Sequence, residues 1–74
     1  MSRKVCESQI DGEYKGWDGH SVYRLVNGQI WQQASYRYMY RYAYRPRVTV
    51  IEESGRYMMY VEGEQEGQHV KRVY

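Results

Sequence analysis

The segment YRYMYRYAYRPRVTVI, residues 36–51, alternates two kinds of side chain and contains the only proline of the chain. Tyrosine occupies every second position from Tyr36 to Tyr44, and arginine, methionine or alanine fills the gaps. Successive side chains of a β-strand point to opposite faces, so this alternation predicts a strand with tyrosines on one face. Fully extended, this segment would span roughly 50 Å, which is too long for a small domain. The chain must therefore bend, and Pro46, which lacks an amide hydrogen, is the predicted corner.

The residues after the proline predict the first strand of a hairpin whose turn is Ser54-Gly55. This turn places apolar residues opposite one another on a single face. The predicted pairs are Val48 with Val61 and Val50 with Met59. Val48, Val50 and the five tyrosines all lie at even-numbered positions. An unbent strand would therefore place the tyrosines on the same face as the valines, toward the core.

A further hairpin is predicted in SVYRLVNGQIWQQ, because Asn27-Gly28 suits a tight turn that needs positive φ. Two registers are open for it. A two-residue loop places Ile30 on the same face as Tyr23. A three-residue loop, with Gly28 in the left-handed conformation, places Trp31 there instead. We favour the second register because it buries the largest side chain.

The overall pattern predicts an all-β fold, a small SH3-like barrel or a highly curved antiparallel sheet of five to six strands. Alanine, the best helix former, occurs only twice, whereas β-forming residues dominate. The 74 residues suffice for one small β domain, residues 1–74, and 42% of them are hydrophobic, which argues against disorder. Residues 1–8 are predicted to be a frayed N-terminus.

Self-association is expected because a core of this size needs support. Cys6 is the only cysteine, so no disulfide can form within the chain. A zinc site is not expected, since Cys6, His20 and His69 cannot complete a tetrahedral site by themselves. No cofactor is predicted. The chain has ten tyrosines and no phenylalanine, which indicates aromatic surface that is half exposed.

The charges are unevenly distributed along the chain. Residues 36–51 carry four arginines and no acid, whereas residues 52–67 carry five glutamates and one arginine. The segment EGEQEG, residues 62–67, is predicted to be a solvated turn with an acidic rim. A basic strand followed by an acidic hairpin suits the docking of two copies at least as well as it suits a polyanion.

The tyrosine-rich strand is the candidate interaction surface. Its predicted contact residues are Tyr36, Tyr38, Tyr40, Arg41, Tyr42, Tyr44, Arg45 and Arg47. Because tyrosine and arginine are enriched at protein interfaces, the first hypothesis is a non-enzymatic module that forms a homo-oligomer. The alternative is single-stranded nucleic-acid binding, with bases stacked on tyrosines and arginines on phosphates. Strict alternation counts against this alternative because it separates the two residue types onto opposite faces.

Other residues carry weaker functional signals. Trp31 and Gln33 are candidate ligand contacts, since a glutamine beside a tryptophan can bind a polar ligand; it can equally satisfy backbone groups at a barrel mouth. Trp17 and Trp31 are predicted to fill the core. Asp18 and His20 have a spacing that an acid–base pair could use, but a turn is the favoured interpretation. No catalytic residue or enzyme activity is predicted.

The compartment is predicted from the cysteine content and the hydropathy pattern. No apolar run follows the basic start MSRKVCES, and no stretch approaches the ~18 apolar residues of a membrane span. A lone thiol without a leader indicates a cytoplasmic protein that does not contact membranes.

Two motifs resemble those of a group of small bacterial β-proteins of unknown function. The first is the aromatic-x-Gly-Trp start, here Tyr14 to Trp17. The second is the Leu-x-Asn-Gly-Gln-x-Trp-x-Gln hairpin, here Leu25 to Gln33. The group's Pro-x-Val-x-Ile strand, here Pro46, Val48 and Val50, a Gly-Tyr strand and a valine-rich end extend the resemblance over roughly residues 10–73. The resemblance implies a compact, all-β bacterial domain and carries no known activity.

Overall fold

The computed structural model describes residues 2–19 and 21–74, which form eight antiparallel strands and no helix. The strands are β1 (Ser2–Gln9), β2 (Glu13–Asp18), β3 (Val22–Arg24), β4 (Ile30–Gln33), β5 (Tyr38–Tyr44), β6 (Arg47–Glu53), β7 (Arg56–Val61) and β8 (Gln68–Arg72). The predicted all-β class is confirmed. The strand number exceeds the expected five to six because the N-terminal residues form a strand and the long tyrosine segment divides into two.

Six strands form one sheet in the order β1-β6-β7-β8-β4-β3. This sheet curls until its outer strands meet. Ile10, directly after β1, forms an isolated bridge with Leu25, directly after β3. The Val26 amide also donates to the Gln9 carbonyl oxygen at 2.9 Å. The result is a highly curved, barrel-like sheet around the apolar core, as the sequence predicted.

The N-terminus differs from the prediction. Residues 1–8 were expected to be frayed, whereas Ser2–Gln9 form β1 and pair along β6; Met1 lies outside the described residues. Adjacent Val5 and Cys6 both pack against the core because the β1–β6 register shifts between Lys4 and Cys6. With two apolar residues in eight, this segment has no clear strand pattern in its sequence. It is recognisable as a strand only from its pairing with β6.

Both predicted hairpin registers are confirmed. Tyr23 lies opposite Trp31, which is fully buried, and Gly28 adopts a φ of 94° in the three-residue loop. The β6–β7 hairpin pairs Val48 with Val61, and its Ser54-Gly55 turn has positive φ at both residues. Side-chain size and turn chemistry were therefore sufficient to determine these local pairings.

The predicted bend is found at Arg45 and Pro46. Arg45 has a φ of 51°, which is uncommon for a residue other than glycine, and Pro46 is buried. The bend ends β5 and starts β6, which belongs to a different sheet. It also reverses the faces, so Met39 and Ala43 pack against the core and the tyrosines point outward. An unbent strand would have placed the tyrosines inside.

β2 and β5 form a separate two-stranded ribbon that covers the core. Tyr14 and Trp17 of β2 are buried and meet Tyr23 of β3. The Trp17 and Tyr23 rings are nearly perpendicular, with centroids 5.1 Å apart. Trp17 and Trp31 are thus core residues, as predicted, and aromatic contacts hold the ribbon on the sheet.

Gly16 is required where the two ribbon strands approach most closely. Its φ is 100°, and an added Cβ would collide with the Met39 carbonyl oxygen and lie 3.0 Å from the Arg41 amide nitrogen. Both neighbours are backbone atoms that a rotamer change cannot move. The close approach shifts the β2–β5 register between Tyr14 and Gly16.

Replacing Gly16 with alanine should therefore cost more than the conformational strain alone. Gly12 is the matched control, since its φ is 110° and nothing lies near its added Cβ. Gly12→Ala should cost about 1–3 kcal/mol, the usual range for a strained backbone. Gly16→Ala should lose more than about 4 kcal/mol or fail to fold. Urea unfolding followed by tryptophan fluorescence measures both, and equal losses would contradict the predicted collision.

Candidate functional site

The outer face of the ribbon carries the tyrosine ladder, defined as Tyr36, Tyr38, Tyr40, Tyr42 and Tyr44. All five are exposed, with relative accessibilities from 52% to 77%. β5 places Tyr38, Tyr40, Tyr42 and Tyr44 on one face because its side chains alternate strictly between exposed and half-buried positions. Tyr36 precedes the strand, and its ring lies beside Gly19. The four rings of β5 thus form a row of exposed phenol groups.

Charged residues of β2 border the ladder on the same face. Glu13, Lys15 and Asp18 are all exposed. Tyr42 donates a hydrogen bond to Glu13 Oε2 at 3.1 Å, and Lys15 Nζ lies 3.9 Å from Glu13 Oε1. The bond to Glu13 favours the neutral phenol and raises the pKa of Tyr42. The face is therefore aromatic with mixed charges, and it is not basic.

The arginines predicted to share this surface, Arg41, Arg45 and Arg47, are divided. Arg41 extends from the inner face of β5 and is half-buried, as is Arg37 in the segment before the strand, whereas Arg45 and Arg47 are exposed near the bend. Arg41 Nη1 donates to the Glu62 carbonyl oxygen at 2.8 Å. Arg37 Nη1 donates to the Gly67 carbonyl oxygen at 3.1 Å. Arg41 thus anchors the loop between β7 and β8, a role that sequence reasoning did not foresee.

Glu64 of the same loop is a buried carboxylate, which corrects the prediction of a fully solvated turn. Its side chain is only 5% exposed. It accepts a hydrogen bond from the Tyr14 hydroxyl and another from Trp17 Nε1 at 3.1 Å. Arg41 Nη1 lies 3.4 Å from its Oε2. The surrounding glutamates have the same local sequence character, so no sequence signal separates Glu64 from them.

The two candidate ligand contacts are enclosed by the chain. Trp31 has no exposed surface, and Gln33 is 4% exposed. Gln33 Oε1 accepts from the Gly19 amide at 2.8 Å, and its Nε2 donates to the Arg37 carbonyl oxygen at 2.9 Å. Gln33 therefore fastens the segment that enters β5 to the end of β2, which is the structural alternative that the sequence left open. Neither residue can reach a ligand in this conformation.

The structure describes only some of the groups that could form an acid–base pair or a metal site. His20 lies outside the described residues, so the acid–base spacing that it shares with Asp18 in the sequence is not described. Asp18, the last residue of β2, accepts a hydrogen bond from the Ser21 hydroxyl. Within residues 2–19 and 21–74, no three histidine, cysteine or acidic side chains lie close enough together to hold a metal ion.

Cys6 is a free, half-buried thiol in β1. Its Sγ donates to Gln29 Oε1 at 3.1 Å, an oxygen that also accepts from Trp31 Nε1 at 3.2 Å. Burial raises the pKa of the Cys6 thiol, which keeps it protonated and weakly nucleophilic. The thiol is therefore a structural group.

Comparisons with protein-family models, curated proteins and solved structures find no match to this chain. No helix in the described residues is long and apolar enough to cross a bilayer. The resemblance to small bacterial β-proteins stays a prediction.

Removal of the Glu64 carboxylate should loosen the ribbon. Glu64→Ala leaves the buried Tyr14 hydroxyl and the Trp17 indole without an acceptor, and each unpaired group costs about 1–3 kcal/mol. The expected total is a loss of about 2–5 kcal/mol of unfolding free energy, measured by urea titration. Glu66→Ala, an exposed residue of the same loop, is the control and should leave stability unchanged. A similar small effect for both variants would show that the Glu64 contacts contribute nothing.

Alkaline pH should destabilise the fold through its buried phenols. Burial raises the pKa of Tyr23 from 10.0 to about 12, and burial with the Glu64 bond raises the pKa of Tyr14. The folded state favours the neutral phenol, so this stability is complete below about pH 10 and falls as pH rises through about 12. The urea midpoint should therefore decrease across this range. Tyr23→Phe cannot ionise at that position and should show a shallower decrease; identical slopes would contradict the assignment.

Proposed function

We propose that this protein is a non-enzymatic interaction module that self-associates through the tyrosine ladder to form a homo-oligomer. The observation that carries the proposal is the exposure of all five rings, four of which β5 places on one face. Contiguous exposed aromatic surface in a small domain is typical of an interaction site. A tyrosine supplies a large contact area at a low cost in side-chain entropy, and its hydroxyl stays hydrated before association.

The small size of the domain supports a second copy as the partner. A chain of 74 residues builds a thin core and has no internal disulfide. Burial of the ladder against a second copy would add apolar contact that the single domain lacks. The exposed Arg45 and Arg47 and the exposed Glu62 and Glu66 supply opposite charges for the rim of such a contact.

Single-stranded nucleic-acid binding is the alternative that the exposed rings also suit. Its electrostatic requirement is less well met. The ladder is bordered by Glu13 and Asp18 as well as Lys15, and Arg37 and Arg41 are bonded to the β7–β8 loop. A surface that binds single-stranded nucleic acid needs cations along the path of the phosphates. The protein interface is therefore the better supported function.

The cellular setting that we propose is the bacterial cytoplasm. Cys6 is a free thiol, which a reducing compartment preserves. The bacterial origin rests on the resemblance of the two sequence motifs alone.

The proposal predicts an oligomer that depends on the ladder. Light scattering should give a mass above that of one 9.0 kDa chain at low salt and at about 0.5 M salt, because aromatic contact is weakly screened. Tyr40→Ser combined with Tyr42→Ser should give a folded monomer. Tyr74→Ser is the control, since Tyr74 is equally exposed but lies outside the ladder.

Two results would contradict self-association. One is a native chain that is monomeric at all concentrations tested, and the other is an oligomer that the double substitution leaves unchanged. If the monomer instead binds a single-stranded oligonucleotide, with an affinity that falls steeply with log salt, the alternative function replaces the proposal.

A further inference from the structure

β5 is an edge strand, because it pairs with β2 on one side and with no described strand on the other. Its odd-numbered residues direct their backbone groups toward β2. The Met39 carbonyl oxygen and the Arg41 amide nitrogen face Gly16, and the Arg45 amide donates to the Gly12 carbonyl oxygen at 2.8 Å. Backbone groups alternate between the two edges of a strand. The backbone groups of the ladder residues in β5 therefore point to the unpaired edge.

The tyrosines of this strand are spaced symmetrically about Tyr40, whereas the residues between them are not. From Tyr36 to Tyr44, tyrosines lie at equal distances on both sides of this centre. Arg37 mirrors Ala43, and Met39 mirrors Arg41. An antiparallel pair of identical strands places mirrored residues opposite one another when the two-fold axis passes through the centre. The tyrosines are thus spaced to meet tyrosines of a second copy in an antiparallel pair.

We propose that two copies associate by antiparallel pairing of their β5 edges, with Tyr40 of one copy opposite Tyr40 of the second copy. This inference rests on the proposed self-association and specifies its geometry. The two ribbons would form one four-stranded sheet with strand order β2-β5-β5-β2. The two tyrosine ladders would become one aromatic face, in which Tyr38, Tyr40 and Tyr42 lie opposite Tyr42, Tyr40 and Tyr38 of the second copy. Cross-strand aromatic pairs each contribute about 0.2–1 kcal/mol in such sheets.

The charges distinguish this register from its neighbours. A two-fold axis at Met39 would place Arg37 opposite Arg41 of the second copy. An axis at Arg41 would place that residue opposite itself. Like charges directly opposite are unfavourable. The register centred on Tyr40 instead places Arg37 opposite Ala43 and Arg41 opposite Met39 of the second copy.

Opposite charges also meet at the ends of the paired strands in this register. Arg45 follows β5 at the bend, so in this register it lies near the end of the second copy's strand that Arg37 precedes. The Arg37 guanidinium holds the Gly67 carbonyl oxygen, so Glu66 lies beside that end of the strand. Arg45 and Glu66 are both exposed. Each copy therefore brings a cation toward the acidic loop of the other, at both ends of the interface.

Cysteine cross-linking tests this register. The background is Cys6→Ser, whose hydroxyl can still donate to Gln29. Residues directly opposite in a hydrogen-bonded antiparallel pair have Cα atoms about 5.5 Å apart, which a disulfide spans. Tyr40→Cys should form a covalent dimer under mild oxidation. Tyr38→Cys and Tyr42→Cys should not cross-link alone, since the equivalent residues are about 14 Å apart. A mixture of Tyr38→Cys and Tyr42→Cys should cross-link, because these positions lie opposite each other in the proposed register. This pair also leaves Tyr40 intact.

The outcomes separate this inference from the proposal on which it rests. A Cys6→Ser chain that light scattering shows to be monomeric overturns the self-association itself. The register is overturned if, in the oligomer, Tyr40→Cys cross-links preferentially with Tyr38→Cys or with Tyr42→Cys. An oligomer without any position-dependent cross-link overturns edge pairing and leaves contact between the ladder faces as the mode of association. Efficient cross-linking of Tyr40→Cys and of the mixed pair supports the inference.

Discussion

The bend at Arg45 and Pro46 is the constraint on which the rest of the structure depends. It divides one long alternating segment into β5 and β6, which belong to different sheets. β6 continues into the core hairpin, whereas β5 leaves the barrel-like sheet and pairs with β2 above it. Because the faces reverse at the bend, the valines after it are buried and the tyrosines before it are exposed. A single irregular junction thus lets one sequence pattern build both the core and the surface.

The ribbon remains on the core because polar and aromatic contacts act together. Tyr14 and Trp17 bring apolar rings into the core and direct their polar atoms to Glu64. Arg41 approaches the same carboxylate from β5. A buried carboxylate is tolerated where donors surround it. This contact joins both ribbon strands to the β7–β8 loop, so the inner face of β5 serves stability and its outer face stays exposed.

The outer face and the unpaired edge of β5 lie on the same element. Edge strands are usually protected by charges, bulges or prolines, because their free backbone groups pair with other chains. Here the arginines turn inward and the proline lies beyond the end of the strand. Tyrosine is suited to this situation, since its hydroxyl tolerates water while its ring offers contact area. The surface is compatible with a stable free chain and with specific association.

Local chemistry in the sequence determined the all-β class, both hairpin registers, the bend and the role of the two tryptophans, because alternation and turn residues act over short distances. The tertiary structure alone decided the rest. β1 exists because β6 offers it an edge, and Glu64 is buried because Tyr14 and Trp17 lie above it. The sequence likewise left open whether the tyrosines face the core or the solvent. Alternation shows only that they share a face, whereas the direction of the core depends on how the chain turns at Arg45. Such features depend on residues distant in sequence, and no local pattern encodes them.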